Sequence, residues 1–194
     1  EGRERITASV EELLKEREAL LPREAIDDRI VQLQEVVSIY RDRLRLDVMV
    51  INTYTAILSL KPDHRPSLDA LAHKYEQLGR WNDLIGILQR IADVSTSADE
   101  KKASLRRIAA LWIERFSNFN QAVRPLEDLY AIDPADDAVV AQLRDIYQKR
   151  RAWRALVDLE RRELLRLPPA QQRAKLTEIA KLASDRLGDV REAI

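Results

Sequence analysis

The segments YEQLGRW (residues 75–81) and YQKRRAW (residues 147–153) set a Tyr and a Trp six apart twice, the second copy displaced by 72 residues. The same displacement, without a gap, carries Pro134 onto Pro62, Leu143 onto Leu71 and Leu156 onto Leu84. Upstream it carries Leu105 onto Leu33, Leu111 onto Ile39, Trp112 onto Tyr40, Arg115 onto Arg43, Leu126 onto Tyr54 and Leu129 onto Ile57. A third, shorter copy follows at an offset of 71, where AKLTEIAKLASDRL (174–187) matches ASLRRIAALWIERF (103–116) and Ala193 falls on Ala122. Repetition on this scale marks a chain whose units bury their apolar faces against one another.

Each long unit divides in two. In PSLDALAHKYEQLGRWNDLIGILQRIADV (66–94), Leu68, Leu71, Ala72 and Tyr75 share one helical face, and Trp81, Leu84, Leu88 and Ile91 share a second beyond Gly79. That is a helix, a turn and a helix. The half unit 103–136 repeats the scheme with Leu105, Ile108, Ala109 and Trp112, then Ala122, Leu126, Leu129 and Pro134. Composition agrees: among 194 residues there are 4 Gly, 5% aromatics and many Ala, Leu, Arg and Glu, the make-up of a helical protein.

Charge and residue usage then narrow the function. Lys plus Arg number 33 and so do Asp plus Glu, so no net field draws the chain to nucleic acid or to an anionic membrane. Without Cys there is no disulfide framework, thiolate metal site or thiol nucleophile. No apolar run approaches the roughly 20 residues that span a bilayer, so membrane insertion is not expected.

The two half units resemble the tetratricopeptide repeat (TPR), a family of 34-residue helical hairpins. The likeness covers nearly the whole chain and is best over 66–94 and 103–134. It implies an all-α fold, a right-handed α-solenoid of stacked antiparallel hairpins. Departures are visible. The family's small residue in the second helix is Leu84 and Leu156 in one class of hairpin but Ala122 and Ala193 in the other, and one class carries an extra turn residue. The repeating unit is therefore a pair of unequal hairpins. Arg151 replaces Gly79, and a left-handed backbone there would cost a non-glycine residue about 1 kcal/mol, so a differently built turn is expected.

Helices are expected over about 7–20, 25–44, 48–60, 66–78, 81–94, 99–116, 120–132, 137–149, 153–166 and 170–187. They form a lone helix and hairpins over about 25–60, 66–94, 99–132, 137–166 and 170–194, one segment of a longer array. Asp and Ser ahead of several helices are N-cap candidates. Pro125 should mark a late helix start or a kink. Tyr75, Trp81, Tyr147 and Trp153 are expected in the core, where truncating a ring costs roughly 3–5 kcal/mol.

Sites of chemistry are sparse. In DHRPSLDALAH (63–73), Asp69 and His73 share a helix face and are capable metal ligands. Their solvated position and the loop setting of Asp63 and His64 make an ordinary polar surface the plainer reading. No phosphate-binding or nucleophile motif occurs. The chain is thus expected to be no enzyme and to need no cofactor or metal. The basic run KRRAWRALVDLERRELLRL (149–167) offers arginines around Trp153, which suit a phosphate backbone, or else a solvated face with Glu160 and Glu163 as partners.

Carrying the TPR groove positions onto the first helices implies a partner-binding lining. It comprises Gln34, Ser38, Arg41 and Asp42, then Asp69, His73, Glu76 and Gln77, and Arg106, Ala110, Ile113 and Glu114. Ala141, Asp145, Gln148 and Lys149, then Thr177, Lys181, Ser184 and Asp185, complete it. The resemblance implies a cytoplasmic interaction scaffold whose partner is a peptide or helix of another protein or another region of its own chain. Self-association through exposed solenoid ends is a further expectation. The alternative is a helical-repeat nucleic-acid binder using the run 149–166.

Overall fold

A computed structural model of the chain describes residues 10, 12 and 26–187. It is all-α, with no strand among the described residues. Helix α1 (Ile26–Ser38) runs on into a π-helical stretch, Ile39–Leu44. Then come α2 (Asp47–Leu60), α3 (Arg65–Gln77), α4 (Trp81–Val94), α5 (Ala98–Glu114), α6 (Phe119–Ile132), α7 (Asp137–Lys149), α8 (Trp153–Leu164) and α9 (Pro169–Leu187). Of the expected helix over 7–20 only Val10 and Glu12 are described, both helical, and residues 188–194 lie outside the described residues.

The chain divides into two compact units, one ending at Ser104 and one beginning at Leu105. In the first, α1 packs on α2, α2 on α3 and α3 on α4. In the second, α6 packs on α7, α7 on α8 and α8 on α9. The apolar stripes predicted from the repeat are the buried ones: Leu68, Leu71 and Leu84 in the first unit, Leu126, Leu129, Leu143 and Leu156 in the second, each at most 2% exposed. Burying a side chain of this kind contributes about 1.5–3 kcal/mol before chain entropy is counted.

The two classes of hairpin differ at their turns. In α3/α4, Gly79 is left-handed and the Arg80 N–H donates to the Tyr75 carbonyl at 2.8 Å. In α7/α8, Arg151 is left-handed and the Ala152 N–H donates to the Tyr147 carbonyl at 2.8 Å. Both are Schellman closures, which satisfy the last carbonyls of the first helix. The other class closes one residue later. Arg45 and Ser117 take the left-handed position there, and the Leu46 and Asn118 N–H groups donate to the Tyr40 and Trp112 carbonyls, six residues back, at 3.0 and 2.8 Å. One extra residue per turn accounts for the alternation.

Three expectations need correction. The turn at Arg151 is not built differently; an arginine sits at φ +54° where its counterpart Gly79 sits at +66°. Tyr75 and Tyr147 are buried, but Trp81 and Trp153 are only half-buried. They stand at the first residues of α4 and α8 and keep part of their surface in water, so their truncation should cost less than that of a core ring. Helix α6 does not start late at Pro125: it begins at Phe119 and carries the buried Pro125 within it. Pro has no N–H for the carbonyl one turn back, so the helix forgoes one backbone bond there.

Caps and tethers finish the local structure. Asn118 accepts from the Gln121 N–H, and Asp136 accepts from the Ala138 and Val139 N–H groups. Arg90 donates to the Pro62 carbonyl at 2.9 Å, and Arg166 donates to the Pro134 carbonyl. The two prolines are equivalent by the repeat, yet the arginines that reach them come from different helical positions.

Candidate partner-binding groove

The second unit contains a cavity of about 460 Å³. Arg106, Ala110, Ile113 and Glu114 of α5 form one wall, and Ala138, Val139 and Gln142 of α7 form the other, with Leu126 and Leu129 of α6 among the lining. These α5 residues recur every three or four positions, so they share one face of the helix. They are the four positions that the TPR resemblance assigned to the groove on this helix. A surface of this kind, apolar within and polar at its rim, can take the side chains of a peptide or helix.

The rim is charged at both ends of the α5 wall. Arg106 Nη2 donates to Asp136 Oδ2 at 2.5 Å. That bond holds the Asp136 carboxyl below the usual carboxylate range; partial burial opposes it, and the Val139 and Ala138 amides reinforce it. Two turns along α5, the exposed Glu114 carboxylate lines the cavity.

The remaining expected groove residues are exposed, apart from the half-buried Ser38, and many are engaged locally. In the first unit Arg41 forks onto Asp42 at 2.8 and 3.0 Å, and Ser38 Oγ donates to the Glu35 carbonyl. Asp69 accepts from Arg65 at 2.8 Å, and His73 bonds Gln77 at 2.9 Å. Gln34 and Glu76 are exposed on α1 and α3. In the second unit Lys149 pairs with Asp145 at 2.7 Å and lies 5.5 Å from the centre of the Phe119 ring, while Lys181 is exposed on α9. Gln148 lines a smaller cavity of about 180 Å³ between α7 and α9. The structure thus brings Arg106 and Glu114 to one cavity and Gln148 to another.

The Asp63, His64, Asp69 and His73 constellation does not converge. His64 bonds Ser67, whereas Asp69 and His73 are held by Arg65 and Gln77. Among the described residues no three His, Asp or Glu side chains are arranged to hold a metal ion. No helix among them is long and apolar enough to cross a membrane.

Several residues of these sites were not anticipated. Asp136 and Gln142 belong to the larger cavity, and Glu160 and Lys175 to the smaller. Glu160 was expected on a solvated face with neighbouring arginines. It is instead 5% exposed, bonded by Arg144 at 2.5 Å and by Lys175 at 2.8 Å. Burial works against its charged form, but these two cations outweigh it and hold its carboxyl below the usual range. The repeat contained the signal: subtracting 72 from 160 lands on the core residue Leu88.

No protein-family model matches the sequence, and no curated protein matches it. Solved structures similar to the chain include a crystal structure of MamA protein, at 16% identity and a TM-score of 0.41 over 84% of this chain and 85% of that one. A MamA RS-1 ArsTM double mutant is similar at 12% identity and a TM-score of 0.42, over 87% of this chain and 90% of that one.

Proposed function

We propose that the chain is a TPR-like interaction scaffold that seats a segment of a partner protein between first helices of successive hairpins. The observation that carries this reading is the α5/α7 cavity, with Leu126 and Leu129 in its lining and Arg106, Asp136 and Glu114 at its edge. An occupant would place an apolar side chain in it and polar groups at the rim. The half-buried Ala110 is the place to block it.

The test is selection of displayed peptides on the native chain and on an Ala110→Phe/Glu114→Lys variant, with thermal melts to establish that both fold. A shared peptide motif enriched by the native chain and lost by the folded variant is the expected result. Equal enrichment on both would remove the groove as the binding surface.

The nucleic-acid alternative has less support in the run 149–166. Arg162 lies 5.0 Å from the Tyr130 ring centre, Arg166 bonds Glu163, and Glu160 is buried, so much of the distal half of the run serves internal contacts.

A further inference from the structure

The turn of α7/α8 carries charge that its fold does not require. The equivalent turn of α3/α4 is Leu78, Gly79, Arg80, Trp81, Asn82 and Asp83, in which Arg80 and Asp83 pair at 2.8 Å. In α7/α8 the same positions are Arg150, Arg151, Ala152, Trp153, Arg154 and Ala155, with three arginines and no acid. The turn geometry is common to both, so a balanced sequence suffices to make it. Arg151 and Arg154 line a shallow depression of about 360 Å³ with Ala152, Trp153, Ala155 and Leu187. Arg186, from α9, lays its guanidinium 4.9 Å from the centre of the Trp153 ring. Arg150 and Arg151 form no ion pair among the described residues, and all four arginines are exposed.

We propose that this depression is a second binding site, taking a carboxylate-rich acidic segment of a partner protein. Guanidinium groups present paired donors that match carboxylates, and several converging on one site make charge-assisted bonds that a single surface arginine does not. The half-buried Trp153 supplies an apolar base beside them. The choice of an acidic peptide over nucleic acid rests on the same ring: Trp153 is half-buried and Arg186 already lies over it, so a stacked base would have to displace that guanidinium. The whole chain also has no net positive charge with which to gather a long polyanion. This site is separate from the α5/α7 cavity, and its test does not depend on that one.

Fluorescence anisotropy on the 194-residue chain, with labelled oligoglutamate and labelled oligouridylate as probes, tests the assignment. Arg151→Gly/Arg154→Asn installs the residues that α3/α4 uses in the same turn, so this variant is expected to fold. Arg186→Glu alters the site from a different helix. The expected result is oligoglutamate binding that weakens about tenfold in each variant, as loss of charge-assisted contacts implies, and weakens further with added salt. Oligoglutamate affinity unchanged in both variants, or no binding to the native chain, would overturn the proposal. Tighter, variant-sensitive binding of oligouridylate would overturn it in favour of nucleic acid.

Discussion

The hairpins α3/α4 and α7/α8 share a turn, a buried Tyr and a half-buried Trp, yet they solve one packing problem differently. Where the first has the buried Ala72 on α3 and the buried Leu88 on α4, the second has Arg144 and Glu160. The third repeat adds Lys175 at the position of Ser104. Two buried apolar positions of one hairpin thus correspond to members of an Arg–Glu–Lys cluster in the other, with the glutamate 5% exposed between its two cations. The difference teaches that the repeat specifies backbone and turn more strictly than the chemistry of the interior. A buried ion cluster holds geometry by direction, because each bond must be satisfied, whereas Leu88 holds it only by volume.

Breaking the cluster on one side should give a large effect. Glu160→Ala leaves Arg144 and Lys175 facing each other without their anion, and about 3 kcal/mol of stability should be lost, toward the lower end for such sites because Arg144 keeps 36% of its side chain exposed. Urea denaturation measures it. Converting the whole cluster to its counterpart, Arg144→Ala/Glu160→Leu/Lys175→Ser, should instead be neutral or stabilising by about 1–4 kcal/mol. If the triple variant loses as much as Glu160→Ala does, the two hairpins are not interchangeable and the comparison fails.

The rings come next. Tyr147 is 2% exposed and its hydroxyl donates to Glu127 at 2.5 Å; burial first, and this bond second, push its pKa well up. Tyr147→Ala should cost roughly 3–5 kcal/mol. Trp153→Ala should cost about 2 kcal/mol, because only part of the ring leaves water. Equal losses would show that the half-buried tryptophan is as much a part of the core as the tyrosine.

Acid should separate the native cluster from its apolar replacement. The folded pKa of Glu160 lies below its ordinary value, so its ionised form contributes stability above the unfolded pKa, and that contribution is lost as pH falls through the folded pKa. Asp136 acts in the same direction in both proteins. Urea midpoints measured from neutral pH downward should therefore fall more steeply for the native chain than for the triple variant once the ordinary glutamate range is passed. Parallel curves would mean that Glu160 has no linkage to folding.

What the sequence discloses follows from which interactions are local. The 72-residue register places Tyr75 and Tyr147, the helix bounds and the unequal turns because apolar spacing and turn position are properties of adjacent residues. It points Glu160 to the core through Leu88 but does not disclose the partners that neutralise it, which lie 16 residues before and 15 after it, on two other helices. Within its own helix the glutamate looks like one more charge among arginines. Likewise Arg106 reads as a free groove cation until α7 brings Asp136 to it.

The smallest predicted effect isolates the backbone. At Gly79 an added Cβ would approach Trp81 no closer than 3.8 Å, an ordinary contact, so Gly79→Ala should cost about 1 kcal/mol through its left-handed φ alone. The reciprocal change, Arg151→Gly, removes that strain but also gives the unfolded chain more freedom, which offsets part of the gain. A net stabilisation below about 1 kcal/mol is expected, read as a small rise in urea midpoint. If Arg151→Gly destabilises instead, the arginine side chain contributes more to the folded turn than its backbone conformation costs, and the two turns are alike in outline but not in what holds them.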